Sequence, residues 1–212
     1  MSVAQTGTVV GVILAGGLGR RLGGGKAQRL LAGRPLLGHV IARLEPQFAP
    51  GQLLLNSNGE AVDLAHIGLP TIADSVAGRP GPLAGILAAM IAAKDLPGRP
   101  NWVLSAPVDT PFLPLDLVAV LGQRQRETGA AIVLARSDAG LCQVCGLWSV
   151  SLAGTLAQSL ESGQNKVLDF AAQHGAAEGR FPLQRIGSAS ADPFFNINTP
   201  DELAHAERIL SA

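Results

Sequence analysis

An excess of either charge is absent from this 212-residue chain, in which sixteen basic residues balance sixteen acidic ones. A protein that coats nucleic acid or lies on an anionic membrane needs a broad positive field, so neither is expected as a partner, and any phosphate must be held locally. Long hydrophobic runs are missing too. The longest nearly uncharged stretch, 81-GPLAGILAAMIAA-93, is too short to span a bilayer and ends at Lys94 and Asp95, so it reads as a buried helix. The start, MSVAQTGTVV, lacks the basic and apolar segments of a secretion signal, which makes the cytoplasm the expected compartment.

Cysteine is scarce. Cys142 and Cys145 form a C-x-x-C, which elsewhere marks a zinc half-site or a redox pair, but no second Cys/His pair exists to complete four ligands. The pair precedes GLWSV in a strand-like context, where residues three apart point to opposite faces, so a structural role is expected. The four histidines, His39, His66, His174 and His205, fit no H-E-x-x-H spacing, and no serine occupies a G-x-S-x-G elbow. Zinc hydrolysis and serine-hydrolase chemistry are therefore unsupported.

What remains is a composition with 47% hydrophobic and 15% charged residues, which suits a compact core and excludes disorder. Apolar runs alternate with helix-like segments: strands at 8–15, 52–56, 102–106, 130–135, 144–150 and 194–198, and helices at 36–44, 82–94, 114–127, 151–162 and 199–210. The last helix has the clearest start, with Thr199 as N-cap, Pro200 at the first helical position and Glu202 completing a capping box. Such alternation calls for a three-layer α/β fold, a mostly parallel sheet with helices on both faces, in a single domain over residues 1–212. Ligands of such sheets collect beyond the carboxyl ends of the strands.

The first strand is followed by 16-GGLGRRLGGGK-26. The dinucleotide pattern G-x-G-x-x-G meets Leu22 where its third glycine belongs, and a P-loop would need glycine at Arg20 and Ser or Thr at Ala27. Both named motifs fail. Their shared physics survives, because glycines let backbone N–H groups approach phosphate oxygens while fixed cations neutralise charge. Arg21 and Lys26 are the candidate cations, with Arg20 the alternative to Arg21; a solvated surface loop is the competing reading.

Three other strand ends carry candidates. In 105-SAPVDTPF-112, Asp109 stands just past an apolar run and suits Mg²⁺, which prefers hard oxygens shared with substrate phosphates, although a turn or helix cap would also use it. Asp74 follows a short apolar segment and precedes a Gly/Pro-rich connection into the helix at Pro82, whose free N–H groups suit an anion. Asn196 and Asn198, two apart on an extended segment, share a face and offer amide donors and acceptors, unless they merely shape the turn before Thr199.

Taken together, LAGG (Leu14 to Gly17) with the following RR and lysine, GRPLL (33–37), LNSN around Asn56, ADS at Asp74, GPLAG (81–85), PVDTPF at Asp109, GLW (146–148) and NINTPDEL resemble the molybdenum cofactor guanylyltransferases. These elements run in the family's order from residue 9 to about residue 210. The resemblance implies a Rossmann-like nucleotidyltransferase fold and a Mg²⁺-dependent enzyme that transfers GMP from GTP to molybdenum-molybdopterin and releases pyrophosphate. It places Leu14, Ala15, Gly16 and Gly17 on the guanine nucleotide, Lys26 near its phosphates, Asn56 and Asp74 on the nucleoside, and Asp109 on the metal. Arg21, Lys26 and Asp109 would be catalytic. Gly81, Pro82, Leu83, Gly85, Lys166, Asn196 and Asn198 match the part of the pattern associated with the pterin half.

LAGG, rather than the LAAG of cytidylyl relatives, favours GTP, and the resemblance also implies molybdopterin-loading and molybdoenzyme-maturation proteins as partners. Two departures stand out: Gly25 where many members have an acidic residue before the lysine, and Cys142-Gln143 where His-Pro is common. The rival readings are a related nucleotidyltransferase acting on CTP or a sugar phosphate, and a non-catalytic GTP-binding adaptor that delivers cofactor.

Overall fold

The computed structural model describes residues 8–16, 25–58, 68–76 and 81–212. In chain order the strands are β1 (Val9–Leu14), β2 (Leu30–Leu31), β3 (Arg34–Pro35), β4 (Leu53–Asn56), β5 (Thr71–Ile72), β6 (Trp102–Pro107), β7 (Ile132–Ser137), β8 (Gly140–Ser149), β9 (Ala177–Arg180), β10 (Gln184–Ile186) and β11 (Ala189–Ala191). The α-helices are α1 (Leu36–Leu44), α2 (Pro82–Ala92), α3 (Leu117–Thr128), α4 (Ala153–Glu161), α5 (Val167–Gln173) and α6 (Pro200–Ser211).

Seven strands form the central sheet in the order β5-β4-β1-β6-β8-β7-β9. All neighbours pair in parallel except β8, which runs antiparallel to both β6 and β7. The parallel part follows from strands that are apolar on both faces, and β1 shows it: Val10 and Val12 pack into one cluster and Ile13 into the other, all fully buried. Beneath one face lie Leu37, Val40 and Leu44 of α1 with Leu117 and Leu121 of α3. On the other face α2 packs with Leu156 and Leu160 of α4 and Val167, Phe170 and Ala171 of α5. The helix α2 is buried over Leu83–Met90, which explains why its sequence is apolar all round. Among the described residues no helix is long and apolar enough to cross a membrane.

Three expectations need correction. Residues 194–198 form no strand: the segment begins in a turn at Pro193-Phe194, closed by Phe195 N–H on the Asp192 carbonyl (3.1 Å), and reaches a neighbour through Ile197 N–H to the Asp109 carbonyl (3.0 Å), instead of a ladder. The helix expected from Pro114 starts at Leu117, after an N-cap at Asp116. Cys142 and Cys145 do not point to opposite faces. β8 pairs Leu134 with Gly146 and then Ala135 with Cys142, so residues 143–145 bulge out of the ladder and both cysteines join the same apolar cluster. The bulge is pinned from β6, where the buried Ser105 hydroxyl donates to the Val144 carbonyl (2.6 Å) and accepts from Trp148 Nε1 (2.8 Å).

Candidate active site

Strand register brings the site together at the carboxyl ends of β1, β4 and β6. Leu14, the last residue of β1, lies level with Asn56 on one side and Pro107 on the other. Ala15 N–H continues the pairing to the Asn56 carbonyl (2.9 Å), and Val108 N–H bonds the Leu14 carbonyl (3.2 Å). Asp109 therefore emerges beside the end of β1. A cavity of about 820 Å³ opens there, lined by Leu14, Gly16, Lys26, Asn56, Asn58, Asp74, Gly81, Pro82, Asp109, Asn196 and Asn198 among others.

The centre of this cavity is an ion pair. Lys26, in a short 3₁₀ turn over Lys26–Gln28, places Nζ on Asp109 Oδ2 and also donates to Asn198 Oδ1 (2.6 Å). Asn198 is itself tethered: Nδ2 donates to Asn196 Oδ1 (3.0 Å) and the backbone N–H to Glu202 Oε2 (2.7 Å). Glu202 belongs to the capping box of α6, which is present as the sequence indicates, with Glu202 N–H donating to Thr199 Oγ1 (3.2 Å) and Thr199 N–H to Glu202 Oε2 (2.8 Å). The C-terminal helix thus orients a lysine far away in sequence.

Burial pushes the Asp109 carboxyl above its ordinary value, even though the Lys26 charge and hydrogen bond pull it down. The neighbouring Asn196 amide also favours the charged form, yet Oδ1 is buried and makes no hydrogen bond of sound geometry. A buried carboxylate oxygen left open inside a cavity fits a hard divalent cation. Among the described residues no cluster of three or more His, Cys, Asp or Glu could hold a metal, so a cation taken by the carboxylate at 109 would need its other ligands from phosphates and water.

To one side lies an amide-carboxylate cluster. Asn56 Nδ2 donates to Asp74 Oδ1 (2.9 Å), Asn58 Nδ2 donates to Asp74 Oδ2, and Asp74 N–H donates back to Asn58 Oδ1 (2.9 Å). Both carboxylate oxygens are fixed while lone pairs remain for a ligand. Asn58 was not singled out by sequence reasoning, although its place two residues after Asn56 on an extended segment was a usable signal.

Of the residues assigned to the pterin half, Gly81, Pro82, Asn196 and Asn198 line the cavity. The other three do not: Leu83 is fully buried in the α2 cluster, Lys166 is the exposed N-cap of α5, and Gly85 packs beneath Asn56. Spacing within GPLAG is helical, so successive residues face different ways and only the start of α2 reaches the ligand space. Gly17, Arg20 and Arg21 lie outside the described residues, as does His66.

Residues 11–177 match the model of the MobA-like NTP transferase domain. The chain belongs to this family. A molybdenum cofactor guanylyltransferase of Rhodopseudomonas palustris (strain BisB5) is 45% identical over 215 residues, covering 99% of this chain and 97% of its own. A protein of the same name from Rhizobium leguminosarum bv. trifolii is 43% identical, covering 96% and 94%. Among solved structures, molybdopterin-guanine dinucleotide biosynthesis protein A of Archaeoglobus fulgidus matches with a TM-score of 0.71 at 26% identity, covering 96% and 99%. The sheet and flanking helices of this MobA-like chain are thus the architecture shared by nucleotidyltransferases, mostly parallel and Rossmann-like.

Proposed function

We propose that the chain transfers GMP from GTP to molybdenum-molybdopterin, joining the acceptor's terminal phosphate to the α-phosphate and releasing pyrophosphate, in the cytoplasm. The observation that carries this reading is the Lys26–Asp109 pair, whose open Oδ1 faces the same cavity as the Asn56–Asp74 cluster. The names of relatives at 42–45% identity support guanylyl transfer over other members of the fold.

In the transfer, one P–O bond forms between an acceptor phosphate oxygen and the α-phosphorus as the α–β bridge breaks and pyrophosphate carries away the electron pair. A phosphate monoester is already anionic at neutral pH, so the nucleophile needs little base assistance. Repulsion between two polyanions is the obstacle. Catalysis is then positioning and charge neutralisation. Lys26 Nζ, fixed by Asp109 and Asn198, supplies a positive charge at the triphosphate. Asp109 would hold Mg²⁺ through Oδ1, and the ion would neutralise phosphate charge there. Asn56, Asp74 and Asn58 form the nucleoside side, with Leu14 and Gly16 lining the cavity beside it, whereas Ala15 between them is buried and spends its N–H on the Asn56 carbonyl. Gly81, Pro82, Asn196 and Asn198 complete the lining towards the acceptor.

The test is transfer of label from GTP to molybdopterin with stoichiometric pyrophosphate, titrated with Mg²⁺ and competed with CTP and ATP. Preference for CTP, or tight GTP binding without pyrophosphate release, would replace this reading.

A further inference from the structure

The β8 bulge leaves a pair of thiols that the transfer does not use. Cys142 lines the cavity and is partly exposed, whereas Cys145 is fully buried against the same apolar cluster. Both side chains join one apolar cluster, an approach that the bulge creates and a regular strand forbids. The strand order sets the nucleoside cluster on β4 and β5, with β8 beyond β6 on the far side of Asp109. Cys142 and its neighbours Gln143 and Val144 thus form the wall opposite the nucleoside cluster.

We propose that Cys142 and Cys145 are a reversible dithiol–disulfide pair in the wall of the active-site cavity, with Cys142 the residue that hydroperoxides oxidise and Cys145 the residue that resolves it. The Cys142 sulfur attacks one peroxide oxygen, breaking the O–O bond; the protein keeps a sulfenic acid and the other oxygen leaves as water. The Cys145 sulfur then attacks the Cys142 sulfur, a second water leaves, and the S–S bond forms. Two thiols and one hydrogen peroxide give one disulfide and two waters. The division of labour matches the surroundings. The hydrogen bond from Cys145 holds the Cys142 thiol below its ordinary value against the effect of burial, while burial pushes Cys145 well up.

The disulfide ties the two ends of the segment carrying Gln143 and Val144, the stretch that Ser105 pins through the Val144 carbonyl, so it reshapes the wall next to Asp109. Its effect on turnover rests on the guanylyl-transfer reading; its formation does not. Purified protein treated with one equivalent of hydrogen peroxide should lose the mass of two hydrogens and both free thiols together. GMP transfer should fall at least tenfold and return with dithiothreitol. Cys145→Ala should keep transfer activity under reducing conditions but stop at a sulfenic acid on Cys142 that dimedone traps. A wild-type protein that accumulates the dimedone adduct, or that keeps both thiols under peroxide, overturns the pairing. A disulfide that leaves GMP transfer unchanged overturns the regulatory consequence. Loss of transfer in both redox forms with normal disulfide chemistry counts against the transferase reading and leaves the pair standing.

Discussion

Gly85 lies directly beneath the carboxamide of Asn56: a Cβ at position 85 would stand 2.5 Å from Asn56 Oδ1 and equally close to Leu14 Cδ2. Neither neighbour is free to give way, since Leu14 ends β1 and Asn56 is held by Asp74.

Gly85→Ala is therefore expected to displace Asn56 and loosen the nucleoside side of the site. Alanine is the better helix former by roughly 1 kcal/mol, so a purely helical role would raise stability. We expect the reverse, with overpacking costing about 1–3 kcal/mol and the KM for GTP rising while transfer at saturation changes less. Thermal unfolding and steady-state kinetics on the same sample separate the two.

Asp109→Asn should separate activity from stability. Transfer should drop about a hundredfold or more, the scale of losing one electrostatic contact in a transition state. Burial raises the Asp109 carboxyl, so the folded chain binds a proton here more readily than the unfolded chain. The associated stability is present below the ordinary carboxylate value and is lost as pH rises through the raised one. The neutral amide removes that loss, so the variant should melt higher than wild type at pH 7, with the gap closing at acid pH. Melting curves across pH, without nucleotide, read this out.

Ser105→Ala leaves the Trp148 N–H and the Val144 carbonyl without their shared partner in the core. The expected cost is about 1–3 kcal/mol, from a buried donor stripped of its acceptor. Because the same hydroxyl pins the bulge, Cys142 should also become more reactive towards iodoacetamide; an unchanged alkylation rate would show that Ser105 serves Trp148 alone.

Thr199→Ala removes the α6 N-cap and should cost about 1 kcal/mol of stability, or roughly 2–4 °C in a chain of this size. Burial works against the Glu202 charge, but hydrogen bonds from the Asn198 and Thr199 backbone and the Thr199 side chain more than offset it and hold its pKa low. With the cap gone Glu202, the anchor of Asn198, is held less firmly, so transfer should fall a fewfold through Lys26. A stability loss with unchanged kcat would sever α6 from the site.

Much of this was written in local pattern. The capping box at 199–202 and the buried α2 follow from spacing alone, because a helix end must satisfy its own N–H groups and a fully apolar helix has only the interior to occupy. The extended reading of 194–198 failed because two phenylalanines and an isoleucine resemble a strand whether or not a neighbour is there to pair with. Lys166 was carried over by resemblance, and nothing near it in sequence could reveal that as the N-cap of α5 it is not part of the cavity lining.

Sequence by itself determined the alternation of apolar runs, hence a mostly parallel sheet with its chemistry beyond the strand ends, since each run must bury both faces. Tertiary structure decided which groups meet there. Lys26 finds Asp109 across 83 positions and Asn198 across 172, and β8 turns against its neighbours and bulges so that two cysteines share one face. Periodicity specifies which side of an element is buried, but the partner on that side is fixed only when crossovers and register bring distant strand ends to a common edge.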